Sequence, residues 1–382
     1  MLLHYAIADV GWFVRDGGAM DVEAWTRGTS QYLPDGKVPL YPPVLSEGAA
    51  SLLPDGERPA VVFAVRVDPA GQASLDGVER ARIRSRAKLS YEHVREDELP
   101  EGFAELGLRI EAAERARGAA RVDPPEQEVV RANGHYVLHF RPQGWAEQRN
   151  AALSLATNLA VADALLKAGT GLFRTMAEPQ EWAVRRLRNA AKALGVAWPK
   201  SETLQQLELR LDPHVPAEAA LMLAIRRASQ GAGYEPFRPG ARPWHAAVAA
   251  TYAHATAPLR RLADRYVVEA ALAVANGRPV PDSATAAFEK LPGVMQKADQ
   301  LSGQLARAAV DLAEAVALHS REGERFDAVV TDVDQRGARI QICSPAVVAR
   351  IKQDGLKAGA ELTVELVSAD PATRSVTFSA AG

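Results

Sequence analysis

The residues best equipped for chemistry lie in Thr251–Asp264, TYAHATAPLRRLAD, where Arg260 and Arg261 closely follow Pro258. Proline suits the first turn of a helix, because its missing N–H is unpaired there anyway and its fixed φ is already helical. Leu259, Leu262, Tyr266 and Ala270 then recur at helical spacing until Asn276-Gly277 and Pro279 close the pattern. A helix N-terminus offers unpaired N–H donors and partial positive charge, and two arginine forks beside it would suit a phosphate. Spacing also describes a surface helix solvated by Arg260–Asp264 and Arg265–Glu269 pairs, and by itself favours that plainer account.

Two other stretches carry functional residue types. Tyr32 lies between Gly28 and Asp35-Gly36, turn-forming neighbours that expose a ring. An exposed aromatic can stack on a base; a ring that packs while its hydroxyl bonds at the surface is the alternative. In Val78–Val94, VERARIRSRAKLSYEHV, the residues Arg80, Arg82, Arg84, Arg86 and Lys88 occupy every second position. As a strand they would project from one face at roughly 6–7 Å intervals, either a basic rail for single-stranded RNA or the outer face of a half-exposed strand. His135 and His139 in GHYVLHF share a strand face, and with no third ligand nearby they read as packing or surface residues.

The elements that must hold these residues follow from length and pattern. A chain of 382 residues is long enough for one large core and a small appended domain. No apolar run approaches a membrane span, and no cationic-then-apolar leader opens the chain. The single cysteine, Cys343 in RIQICSP, excludes an internal disulfide framework, reads as a buried strand residue and suits a reducing cytoplasm. With 45 Lys/Arg against 47 Asp/Glu, net −2, any nucleic-acid affinity must come from local stripes. MLLHYAIADVGWFVRDG starts directly at strand spacing, which leads us to expect sequence upstream of Met1. Trp145–Leu166 has the pattern of a long amphipathic helix, 178–230 that of helical blocks forming a shell around the core, and 281–319 that of one or two long helices. Arg185 and Arg186 fall on solvated faces of that shell. From Arg321–Arg325 onward, FDAVVTDV, ARIQIC, VVARI, ELTVELVSAD and RSVTFSA alternate as strands, with turns at Gln335-Arg336-Gly337 and Asp370-Pro371-Ala372. TDVD at 331–334 reads as a turn. This barrel holds 8 Lys/Arg against 9 Asp/Glu, with Phe326 and Phe378 as its only aromatics in core-like positions, which makes it a weak RNA platform by itself.

An ordered series of motifs adds a resemblance. Ala8-Asp9-Val10, Arg27-Gly28-Thr29-Ser30, Tyr32-Leu33-Pro34, Leu45-Ser46-Glu47-Gly48 and Ser51-Leu52 are similar to the core of the RNase II (RNB) family of exoribonucleases. His254, Thr256, Pro258, Arg260, Arg261 and Asp264 match its HFTSPIRRYPD-type signature, with Ala257, Leu262 and Ala263 departing from the usual Ser, aromatic and Pro. Residues 86–92 resemble the family's KARLTYEEV element. The Trp145 helix resembles its EEFMLLAN helix, keeping Asn158 but placing Ala151 and Ala152 where acids are usual, which bears on selectivity for RNA over DNA. Trp244-His245 falls at or one place off its HFGL element.

The resemblance implies an α+β fold, with a mixed-sheet catalytic core wrapped by helices over 1–320 and an OB-fold barrel over 321–382. It implies 3′→5′ hydrolysis of single-stranded RNA to nucleoside 5′-monophosphates by a monomer. Arg260 would lie at the scissile phosphate as the catalytic residue. Tyr32, Tyr91, Arg261, Thr256, Arg84, Arg86 and Lys88 would contact RNA, Tyr32 holding the strand outside the channel and Tyr91 lying near the ribose. The family's Mg2+ ions are held by an aspartate cluster, expected roughly 15–25 residues ahead of Met1; this chain contains no Asp-x-Asp-Asp. Two alternatives stay open: a catalytically silent RNA-binding module, and a protein-interaction scaffold.

Overall fold

The alternation at the N-terminus forms strand β1 (Leu2–Ala8), which pairs antiparallel with β4 (Glu57–Val67); β4 pairs on its other edge with β5 (Ala73–Arg84). Along β4, Val61, Phe63, Val65 and Val67 are fully buried, the period of two expected for a strand with one face on the core. Between β1 and β4 come α1 (Val10–Phe13), α2 (Ala19–Arg27), the hairpin β2 (Gln31–Leu33) with β3 (Gly36–Val38), and a wide helical turn at Val44–Ala49. After β5 follow α3 (Phe103–Ala116), the hairpin β6 (Glu126–Ala132) with β7 (His135–Arg141), and α4 (Trp145–Lys167). Strand β8 (Leu172–Met176) pairs with β9 (Ala232–Pro236) around α5 (Glu181–Ala193), α6 (Leu204–Glu208) and α7 (Pro216–Ala228). Then come α8 (Leu262–Ala275) and α9 (Asp282–Leu318), a single helix that keeps Pro292 inside it.

This is a computed structural model, describing residues 1–119, 126–132, 135–141, 144–212, 215–228, 231–334, 337–342, 346–353 and 355–381. Cys343, the turn at Gln335-Arg336, Pro213 and the side chains of His135 and His139 lie outside the described residues.

One core joins the β1–β4–β5 sheet to α4, α8 and the N-terminal part of α9. Helix α4 buries Leu153, Ala156, Ala160, Val161 and Leu165, the three- and four-residue spacing that the sequence showed. The helical blocks of 178–230 depart from the expected shell: α5, α6 and α7 enclose a core of their own around Leu187, Leu207, Leu221 and Ile225. The last five strands, β10 (Arg325–Asp334), β11 (Gly337–Ile342), β12 (Val347–Ile351), β13 (Glu361–Asp370) and β14 (Ser375–Ala380), pair antiparallel in the order β12-β11-β10-β13-β14. With β12 against β14 the barrel nearly closes, the OB-like arrangement expected. Phe326 and Phe378 meet edge to face inside it, 5.9 Å between ring centroids, so neither is available to a base. TDVD at 331–334 lies within β10 instead of forming a turn.

Two corrections bear on the site. The helix expected from Pro258 begins at Leu262, because 260–262 is drawn into strand-like pairing with 28–30. Thr29 bridges Arg261, the Ser30 N–H and the Thr29 hydroxyl both donate to the Arg260 carbonyl (3.0 and 2.7 Å), and the Leu262 N–H donates to the Gly28 carbonyl at 2.9 Å. That pairing pulls Arg261 into extended backbone (φ −132°, ψ 123°), which no helical turn accommodates. Gly28 permits it: its φ is +69°, and a Cβ there would sit 2.8 Å from that of Ala298 on α9. The second correction concerns the basic rail. Strand β5 ends at Arg84, so Arg86 and Lys88 sit in irregular chain, and Arg80 is tied to Asp9 and Glu269 at 2.8 Å each. Arg82 and Arg84 are exposed on the strand, as is the ion-paired Arg80, and Arg84 lies 3.7 Å from Glu57.

Candidate functional site

Two adjoining cavities run across the end of β1. The smaller, about 270 Å³, is lined by Tyr32, Lys37, Ser46, Thr256, Pro258 and Arg260 among others; the larger, about 620 Å³, includes Tyr91, Asn150, Phe103 and Leu153 in its lining. Tyr5 and Ala6 line both. Tyr32 and Arg260, far apart in sequence, thus share one cavity, and Tyr91 lines the cavity beside it.

The two neighbouring arginines divide the work. Arg260 ends the turn that starts at Ala257, is exposed, and its guanidinium makes no hydrogen bond or ion pair among the described residues. Arg261 turns inward instead. Its Nε and a terminal nitrogen donate to both oxygens of Asp264 at 2.8 and 2.9 Å, and Asp264 is fully buried. Burial works against the Arg261 charge, but the Asp264 carboxylate outweighs it and raises the pKa further. Asp264 also accepts the Ala257 N–H at 2.7 Å, so it holds both ends of the turn that presents Arg260. Arg261, expected to contact RNA, thus has its charge already committed, and the Arg260–Asp264 and Arg265–Glu269 pairs do not form. Arg265 instead lies buried between Asp16 and Asp21, at 2.5 and 2.6 Å.

Thr256 does not cap a helix. Its hydroxyl shares a hydrogen bond with that of Ser154 (2.9 Å) and accepts a longer one from the Asn158 amide (3.4 Å). Asn158, buried on α4, also accepts the Ala255 N–H at 2.9 Å and donates to the Tyr252 hydroxyl at 3.1 Å. The loop before Arg260 is therefore tied to α4 as well as to Asp264.

The two tyrosines expose their rings by different means. Tyr32, 62% exposed, stands on β2 directly across the hairpin from Lys37. Tyr91, 49% exposed, is steadied by the Asn150 amide, which donates to its hydroxyl at 2.8 Å. Each can lay a face against a base, and Arg260, in the cavity that Tyr32 lines, can meet a phosphate. Sequence reasoning passed over Tyr5, Asn150 and Lys37; an aromatic hydroxyl inside the apolar run LLHYAIA was the one available signal for Tyr5.

Behind the loop, His254 accepts or donates at Nδ1 with the Tyr234 hydroxyl (2.7 Å), and Arg174 lies over the Tyr234 ring. Burial, reinforced by nearby arginines, lowers the His254 pKa well below the ordinary value, and burial lowers that of His245 to about 4. The unfolded chain takes up protons on both imidazoles near pH 6.5 and the folded chain only at lower pH, so their stabilisation is complete above about 6.5 and declines as pH falls toward 4. Urea unfolding of His245→Phe and the parent at pH 7.5 and 5 checks this. The parent should lose more stability on acidification than the variant, by on the order of 1–2 kcal/mol.

A metal site was tested against the same residues. Among the described residues, no three or more His, Cys, Asp or Glu side chains converge in a way that could hold an ion. Asp9, in the matching core stretch, is 3% exposed and committed to the Trp12 N–H (3.2 Å) and the Arg80 guanidinium (2.8 Å). These residues do not compose a metal-ligand set.

A family profile described as the RNB domain matches residues 1–275, and one described as the RNase II-type exonuclease C-terminal S1 domain matches 324–381. The chain belongs to the RNB family. Ribonuclease R of Thermotoga maritima is 28% identical over 373 residues, an alignment covering 89% of this chain and 51% of that protein. The chain spans about half the length of the curated relatives it matches. Among solved structures, Mycoplasma genitalium RNase R in complex with ribose-methylated single-stranded RNA superposes with a TM-score of 0.88 at 19% identity, covering 100% of this chain and 67% of that one. Yeast Ssd1, a pseudonuclease, superposes with a TM-score of 0.70 at 17% identity, covering 96% of this chain and 48% of that one. The RNB fold is thus shared by a ribonuclease and a pseudonuclease.

Proposed function

We propose that this chain holds the 3′ end of a single-stranded RNA and brings its phosphodiester to Arg260 for 3′→5′ exoribonucleolytic hydrolysis to nucleoside 5′-monophosphates. The observation that carries the reading is the exposed guanidinium of Arg260, without a partner among the described residues, in adjoining cavities that the exposed rings of Tyr32 and Tyr91 also line. Stacking at each end fixes the strand, and the cation stabilises charge at the phosphate between. Thr256, Arg84, Arg86 and Lys88 are assigned supporting RNA contacts; Arg261 acts through Asp264 as structure. RNB-family nucleases are generally metal-dependent, and Mg2+ is the proposed ion. The described residues here do not form its ligand set, so this chain's own contribution is the grip on the RNA.

The core is assigned to 1–320 and the barrel to 321–382, acting as a monomer in the cytoplasm. Among the described residues no helix is long and apolar enough to cross a membrane. RNA labelled at the 5′ end, incubated with and without Mg2+, tests the reading: a ladder shortening from the 3′ end supports it. Tight binding without product favours the silent module, and neither at low salt favours the scaffold. Tyr32→Ala should weaken single-strand binding by about 5- to 100-fold, with Tyr32→Trp near parental, as read by fluorescence anisotropy.

A further inference from the structure

Tyr5 has no assigned role, yet it borders both cavities, the one holding Tyr32 and Arg260 and the one holding Tyr91. Its ring packs on the core from β1, opposite Phe63 of β4, so the backbone beneath it is fixed. Its hydroxyl lies beside that of Ser154, which also bonds to Thr256, and within electrostatic reach of Arg260, Arg261 and Tyr91.

We propose that the Tyr5 hydroxyl donates a hydrogen bond to a non-bridging phosphate oxygen of the RNA strand where it passes from the Arg260 cavity to the Tyr91 cavity. This rests on the function proposed above and adds a contact to it. Three features point to a phosphate partner. The Arg260 cation nearby favours an anion at this point, the Arg261 charge being offset by Asp264. Burial raises the phenol's pKa, the Ser154 hydroxyl and the arginines pulling the other way without prevailing, so the group keeps its proton and can donate. The ring packs on the core and the hydroxyl is the side chain's one polar atom, suited to one directed hydrogen bond rather than to stacking.

The test compares the parent chain, Tyr5→Phe and Arg260→Ala by anisotropy with a 5′-labelled single-stranded RNA over a range of salt. A second series uses oligonucleotides carrying one neutral methylphosphonate linkage at successive positions from the 3′ end. Tyr5→Phe keeps the packed ring and should unfold at the parental temperature while binding about five- to tenfold more weakly. A neutral donor releases no counterion, so its salt slope should match the parent's, whereas Arg260→Ala should flatten the slope by about 0.7. At one linkage the methylphosphonate should remove most of the difference between parent and Tyr5→Phe. Parental affinity in Tyr5→Phe, or a loss unchanged by methylphosphonate at every position, overturns the assignment while leaving the proposed function standing. A parent chain that does not bind the RNA at low salt overturns both.

Discussion

Replacing Arg260 with alanine is expected to slow release of 3′-terminal nucleotides by about 10²–10³-fold while weakening single-strand binding no more than about tenfold. The guanidinium has no protein partner among the described residues, so its removal breaks no internal bond and should leave stability within about 0.5 kcal/mol of the parent. Its contribution to affinity is one phosphate contact beside two stacking rings, a modest share of the hold on the strand. Its contribution to rate is larger, because charge that builds on the phosphate during hydrolysis would lose its nearest cation. Arg260→Lys should recover binding more fully than rate, since an ammonium supplies charge without the planar fork. Single-turnover rates at saturating protein, set beside anisotropy titrations, separate the two. Equal losses in both would make Arg260 a simple tether.

Asp264→Ala should have the largest effect on stability, a loss of about 3–5 kcal/mol with activity lost through the loop. The carboxylate is wholly buried and accepts three donors: two from Arg261 and the Ala257 N–H. Alanine would strand the largely buried Arg261 cation without its counter-ion and leave that N–H without its acceptor. Asp264→Asn keeps an acceptor of similar shape but no charge, so a smaller loss is expected. Urea unfolding of the two variants beside Arg260→Ala gives the comparison. If Arg260→Ala destabilised as much as Asp264→Ala, the division of labour between the adjacent arginines would be wrong.

That division marks where sequence reading stops. Arg260 and Arg261 are the same residue type in adjacent positions, and both looked available to a phosphate. They differ because 260–262 pairs with 28–30 at a separation of about 231 residues, which turns one side chain outward and the other onto Asp264. No local pattern encodes that pairing. The same holds for Arg80, whose place in an alternating basic run suggested a rail until Asp9 and Glu269 arrived from distant segments. Features set by near neighbours were legible: the hairpin that exposes Tyr32, the apolar stripe of α4, and the alternation of the barrel strands with both phenylalanines inside. Tyr5 escaped notice because a strand residue's access to a cavity depends on what borders the strand's end.

Helix α9 carries a mechanical consequence. Its 37 residues extend roughly 55 Å as one rod. Near its middle, the Ser302 hydroxyl donates to the side chain of Gln31, next to Tyr32; near its far end, Glu314 accepts the Val348 N–H of the barrel. A tilt of about 5° about the middle would displace the far end by about 2 Å while scarcely shifting the tyrosine. The barrel is not hung on that helix alone, since β10 also packs against α7 and Gly359 against Leu194, so the rod and the helical subdomain together fix where the barrel stands relative to the Tyr32 hairpin.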